Sequence, residues 1–264
     1  MKISVIGAGN VAWHLSIAFE NHHHQVCEIY SRQLSKAKAI TSMLYQAEAT
    51  TSLDFSESKA ELFILAVSDD AIAEVCSKLV LPENAILAHT SGTRSLNELQ
   101  QLMVSYHDLP IRCAVFYPLM TFSIQKRIQM KEVPFCIEAD EEMAENQLVK
   151  LAQGLSKTVY LISSQERKVL HVAAVFACNF TNHLLALAKE ITIEEELEFD
   201  LLKPLIKETF QKAMAAEHPA DVQTGPAVRG DNSTMNNHLI YLKDRTDLFE
   251  IYEIMSESIQ QWHA

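Results

Sequence analysis

Met1-Lys2-Ile3-Ser4-Val5-Ile6-Gly7-Ala8-Gly9-Asn10-Val11-Ala12 opens the chain, and Trp13-His14-Leu15-Ser16-Ile17-Ala18-Phe19-Glu20 follows without a break. The first six residues form a short apolar run with the β-branched content of a strand. Past the glycines, Leu15, Ala18 and Phe19 recur at helical spacing, and Gln25 to Tyr30 reads as a second strand. Strand, glycine turn, helix, strand is the setting in which Gly-x-Gly-x-x-Ala binds a dinucleotide. Gly7 permits the tight turn, Gly9 lets backbone approach a pyrophosphate, and Ala12 lets the helix lie close to the strand. Gly7, Ala8, Gly9, Asn10 and Val11 are thus predicted to bind the diphosphate, which rests on the unpaired N–H groups at the helix start.

The residues after the second strand bear on which dinucleotide. A carboxylate there accepts from the adenosine ribose hydroxyls, whereas an arginine accommodates a 2′-phosphate. The chain has Ser31-Arg32-Gln33, with Lys36 shortly beyond. A hydroxyl, a guanidinium fork and an ammonium suit a phosphate, so NADP is read over NAD. Glu28 is the competitor, at the textual distance of the ribose acid but two or three residues short of the strand end.

The chain has 264 residues and a formal net charge of −12, with no basic run, which disfavours nucleic acid and anionic membrane as partners. Five scattered cysteines, mostly in apolar runs, read as buried thiols of a reducing, cytoplasmic compartment and not as a disulfide framework or zinc site. The first residues already read as a strand, so no cleavable signal is expected. Leu34 to Leu44 is helical in composition, and Glu61 to Val67 is an apolar strand of the kind buried on both faces of a parallel sheet. Ser68 or Asp69 is expected to cap a helix over Ala71 to Leu79, and Ala85 to His89 is the next strand. Ligands bind at strand tips in such sheets, so Ala66, Val67 and Ser68, with Thr90 and Ser91, complete the predicted cofactor-binding set. Cys113 to Tyr117, Pro134 to Glu138 and Lys157 to Ile162 are further strands, with a helix over Glu141 to Leu155.

The alternation then stops. Residues 1–162 form the predicted nucleotide-binding domain, and 163–264 a second, all-helical one. Ser164-Gln165-Glu166-Arg167 has the shape of a helix start with its acid out of the capping-box offset. Val169 to Ile191 is apolar nearly all round and about long enough to span a bilayer, but His171, Asn179, Asn182 and His183 interrupt it. It reads as a buried central helix of a soluble protein, one that so small a domain cannot cover without a second subunit. On this helix Asn179 is the candidate to hold a substrate carbonyl or carboxylate, and His171 the candidate general acid. The bland alternative, a satisfied polar group, stands beside both. In the Thr224 to Asp231 loop, Arg229 supplies a charge able to meet a carboxylate or phosphate, while Asp231 reads as a cap for the following helix. His22-His23-His24 falls in a turn and is read as solvated; no metal site is expected.

Val5 to Ala12, Ser31-Arg32, His89-Thr90-Ser91-Gly92, Tyr117-Pro118-Leu119-Met120-Thr121-Phe122, Asn179 and the Thr224 to Asp231 loop together resemble a known group. These are NADP oxidoreductases that pair a Rossmann domain with a helical domain similar to that of 6-phosphogluconate dehydrogenase. The first half also resembles pyrroline-5-carboxylate reductase and the deazaflavin-dependent NADP oxidoreductases. The resemblance implies an α/β Rossmann domain followed by an all-α domain, hydride transfer to the C=O or C=N of a small metabolite, and a homodimer through the helical domain. It departs in one place. The lysine that β-hydroxyacid dehydrogenases carry one turn before the helix asparagine is Val175 here, so their lysine-assisted mechanism does not transfer. The alternative expectation is a non-catalytic NADP-binding module acting through its dimer surface.

Overall fold

In the computed structural model, which describes residues 1–107 and 111–264, sequence order and sheet order diverge early, and that divergence builds the candidate site. The first unit comprises, in order, β1 (Lys2–Ile6), α1 (Asn10–Asn21), β2 (Gln25–Tyr30), α2 (Leu34–Thr41), β3 (Glu48–Thr50), β4 (Leu62–Leu65) and α3 (Ile72–Cys76). It continues with β5 (Ile86–His89), α4 (Leu96–Tyr106), β6 (Arg112–Pro118), β7 (Phe135–Ala139), α5 (Glu142–Leu155), β8 (Val159–Leu161) and α6 (Ser164–Ala174). The described strands make one sheet in the order β3-β2-β1-β4-β5-β6-β7-β8. Neighbours are parallel except β6 and β7. The crossover from β3 to β4 beside β1 is the switch point at which open α/β sheets bind ligands.

Strand periodicity explains the two cores. Ile3 and Val5, Leu62 and Ile64, and Ala114 and Phe116 face one way, onto Leu15, Phe19, Ile40 and Leu148 of α1, α2 and α5. Ile6, Phe63 and Leu65, and Val115 and Tyr117 face the other, onto Val75, Leu99 and Met103 of α3 and α4. Both faces of the central strands are covered, which is why these strands read as unbroken apolar runs.

Several expectations are corrected. The helix expected over Ala71 to Leu79 is a 3₁₀ turn, Asp69–Ala71, followed by the five-residue α3. Neither Ser68 nor Asp69 caps it with a side chain; the Asp69 carboxylate accepts from the Thr93 hydroxyl instead. β3 and α4 were not expected, although α4 begins with a capping box in which Ser95 Oγ accepts from Glu98 N–H at 3.1 Å. The cap of α6 is Ser163, one residue earlier than expected, which puts Glu166 at the offset the box requires.

By internal contacts the chain divides into residues 1–178 and 179–264, beyond the change of composition at 162. The helix after β8 stays with the sheet because Arg167, fully buried, ties it there. Its Nη1 donates to Glu138 Oε2 of β7 at 2.6 Å, and Nη2 donates to the Arg94 carbonyl at 2.5 Å and to Ser164 Oγ at 3.2 Å. Ser164 Oγ donates to the same Glu138 oxygen at 2.7 Å and accepts from Leu96 N–H.

A π-turn, Val175–Phe180, joins α6 to α7 (Thr181–Glu194). The second unit adds α8 (Lys203–Ala215), α9 (Asn232–Leu242) and α10 (Thr246–His263). The expectation of a buried central helix fails within one chain: Val169 is 62% exposed and Val172 50%. Ser164–Glu194 is long and apolar enough to cross a membrane by length and composition, and its most apolar stretch is not buried in the described structure. All five cysteines are free thiols. Burial pushes Cys113 up to about 12 and Cys76 to about 11, whereas Cys178 is exposed.

Removing the guanidinium strands a partly buried carboxylate. Arg167→Leu is expected to lower stability by about 3 kcal/mol in urea denaturation, and Glu138→Gln, which still accepts, by clearly less.

Candidate functional site

At the carboxyl ends of β2, β1 and β4 a cavity of about 400 Å³ opens, lined by Gly7, Ala8 and Gly9, by Ser31, Arg32 and Lys36, and by Ala66, Val67 and Ser68. Its backbone geometry follows from Gly7. With φ at +126°, it sits where a Cβ would lie 2.1 Å from the Ala66 carbonyl oxygen, so the turn after β1 can lie against β4 only as glycine. Above Gly9 the space is open for 4 Å. Gly9 is also the N-cap of α1; no side chain caps that end, and its first turn holds no acidic residue. The helix therefore presents uncompensated N–H groups and the positive end of its dipole to the cavity.

The far wall is cationic. Arg32 and Lys36 line it, while Glu74 is matched by Lys78, whose Nζ donates to it at 2.7 Å. That bond, ahead of the Arg32 charge, holds the Glu74 carboxyl below its usual range. Glu28 does not reach the cavity lining; its carboxylate is engaged by the hydroxyls of Ser4 and Ser58 inside the sheet. The walls of Leu53, Ala71 and Val75 are apolar.

The remaining predicted cofactor residues lie elsewhere. Asn10 turns its amide to the Phe122 carbonyl at 3.0 Å, and Val11 packs on the core. Thr90 and Ser91 follow β5 without lining the cavity, and Ser91 Oγ accepts from the N–H groups of Thr93 and Arg94 at 3.1 and 3.0 Å.

Farther along the same edge, at the end of β6, the expected general acid His171 meets Tyr117, a residue that sequence reasoning did not assign to the site. Tyr117 Oη is 3.0 Å from His171 Nδ1, and Gly92 lies beneath both rings. A Cβ on Gly92 would stand 2.4 Å from His171 Nδ1 and 3.0 Å from Tyr117 Cζ. His171 is one helical turn beyond Arg167, so the buried ion pair turns it toward the strand tips. Burial pushes the Tyr117 phenol up to about 12. Nearby, His89 is fully buried; its Nδ1 accepts from Ser91 N–H at 3.1 Å, and its Nε2 has no partner among the described residues. Burial first, then the Arg167 charge, pushes it down to about 3.

In the second unit, Asn179 is exposed within the π-turn, a feature frequent at functional sites. Arg229 is exposed in a loop bent at Gly225 and Gly230, which have φ of +115° and +61°. Asp231 caps α9, accepting from Thr234 N–H at 3.1 Å and its hydroxyl at 2.7 Å.

Residues 1–111 match the Rossmann-like domain, and residues 133–259 match the Domain of unknown function (DUF2520). The solved structure of a putative NADP oxidoreductase from Bacteroides fragilis is 39% identical, covers 98% of both chains and superposes with a TM-score of 0.88. This chain belongs to that protein's family. The chain combines a parallel-dominated Rossmann-like sheet with a helical DUF2520 region. Two more distant structures share the fold. A reductive aminase from Aspergillus terreus, solved with NADPH and ethyl-5-oxohexanoate, is 11% identical over 97% of this chain and 94% of its own, with a TM-score of 0.70. A 1-pyrroline-5-carboxylate reductase from Streptococcus pyogenes is 12% identical over 99% and 98%, with a TM-score of 0.63. No curated protein matches the chain.

His89 carries a pH dependence of stability. Unfolded, it binds a proton near 6.5; folded, only near 3. Its contribution is complete above pH 6.5 and is lost as pH falls toward 3, because the unfolded chain then holds the extra proton. Denaturation measured across that window should fall less steeply for His89→Gln than for the natural chain, and His89 should give no imidazolium signal by NMR at pH 5.

Proposed function

We propose that this protein is an NADP(H)-dependent oxidoreductase acting on the C=O or C=N of a small metabolite. The carrying observation is the uncapped start of α1 opening on a cavity whose β2 wall offers Arg32 and Lys36 and no carboxylate. The residues fit the dinucleotide. Gly7 to Gly9 leave room for a diphosphate on the helix N–H groups, and Arg32 and Lys36 suit an adenosine 2′-phosphate. Leu53, Ala71 and Val75 give apolar cover for a base. When bound, the nicotinamide supplies the hydride. His171 holds a proton for the substrate heteroatom, Asn179 serves a carbonyl or carboxylate as donor, and Arg229 offers a counter-charge. The similarity to a putative NADP oxidoreductase from Bacteroides fragilis, and to a reductive aminase from Aspergillus terreus solved with NADPH, supports the cofactor.

The same reading includes a homodimer through the helical domain. Exposed Val169 and Val172 on α6, and exposed Leu184, Ile193, Leu201 and Leu205 in the second unit, support it, since a second copy would take such side chains out of water. Free cysteine thiols accord with a cytoplasmic home.

Calorimetry tests the cofactor. NADPH should bind more tightly than NADH, and Arg32→Glu should weaken NADPH at least tenfold while changing NADH little; equal losses defeat the phosphate assignment. Light scattering on the full chain should give twice 29.8 kDa, and a monomer at micromolar concentration defeats the dimer.

A further inference from the structure

We propose that the Tyr117 hydroxyl is the group that protonates the substrate heteroatom and that His171 recharges it. This rests on the oxidoreductase reading above and names the path its proton takes.

Position comes first. A dinucleotide-binding sheet has two halves along its carboxyl edge. Here β1 and β2 carry the cavity with Arg32, while β5 and β6 carry the Tyr117–His171 pair. Three strand spacings of about 4.8 Å separate β2 from β5, about 14 Å along the edge. Tyr117 is the penultimate residue of β6, so its hydroxyl stands at the strand tips where ligands meet such sheets.

The structure spends effort on holding this pair. Gly92 is the only residue type that leaves space for both rings, since any Cβ would collide with the imidazole. Arg167 fixes the helix turn below His171 with a buried charge and three hydrogen bonds. A packing histidine needs neither device.

The chemistry follows from the hydrogen bond. With His171 neutral, the phenol donates its proton to Nδ1. With His171 protonated, Nδ1–H donates to Tyr117 Oη, and the phenolic O–H is released to point at a ligand. Burial keeps the phenol protonated across the physiological range, so on its own it is too weak an acid to give the proton away. The paired imidazolium removes that difficulty. As the O–H proton passes to the substrate oxygen or nitrogen, the Nδ1 proton passes to Oη, and no phenolate is left standing. The substrate gains one hydride on carbon and one proton on the heteroatom; His171 ends neutral and regains its proton from water. Besides burial, the groups that bear on the Tyr117 phenol are the Cys136 thiol on β7, Arg167 on α6 and Asp69 after β4.

Two measurements on the full chain test this. The first needs no turnover. In ¹⁵N spectra of the NADPH-bound protein, Tyr117→Phe should shift the His171 Nδ1 resonance, because that atom loses its hydrogen-bond partner. An unchanged Nδ1 resonance overturns the pair. The second follows NADPH oxidation with aldehydes, 2-oxo acids and 2-methyl-1-pyrroline. Tyr117→Phe should lower kcat at least 100-fold with NADPH affinity within twofold. His171→Gln should remove the alkaline decline of the kcat profile, and Gly92→Ala should resemble Tyr117→Phe. A Tyr117→Phe enzyme within threefold of the natural one overturns the donor while leaving the oxidoreductase reading intact. Absence of NADPH binding, or of turnover with every probe, overturns that reading and this inference with it.

Discussion

A charge placed where water cannot reach it sets the terms for much of this molecule. Arg167 leaves solvent completely, and a bare guanidinium there would be prohibitive. Glu138, Ser164 and the Arg94 carbonyl meet it, so α6 can sit in only one way on β7 and on the start of α4. A greasy helix could slide or rotate against a sheet; one with a guanidinium locked beneath its first turn cannot. Everything one turn onward, His171 above all, inherits that registration.

The other end of the site is governed by an absence. α1 begins on a glycine with no side-chain cap and no acid in its first turn, as α2 does on Gln33. What sets the start of α1 apart is its place: Gly9 lines a cavity with basic residues on its wall, so the free N–H groups of the first turn face space that an anion can fill.

Legibility in the sequence followed the range of the interaction. The Gly7 to Ala12 turn, the strand content and the change to helices are local patterns, and they stood in the residues. Glu28 was separable from a ribose acid by counting to the strand end, though only the fold reveals Ser4 and Ser58 as its partners. The Ser95-x-x-Glu98 box stood in the sequence, and Leu96, Leu99 and Met103 behind it follow helical spacing, so α4 was locally legible although it was not among the expected helices. The Tyr117–His171 bond joins residues 54 apart and follows no period, so no local reading finds it. Gly92 carried a faint signal, a glycine just past a strand tip. The long helix misled in a different way: its composition speaks of burial, and one chain does not provide it.

Thiol chemistry draws a last distinction. Three of the cysteines lie buried in the sheet unit, and burial there suppresses ionisation and hence reaction with electrophiles. Cys178 stands exposed in the π-turn, at the last residue before the second unit begins. Maleimide dyes would thus favour one place on the natural chain, without mutagenesis, at the joint between its halves.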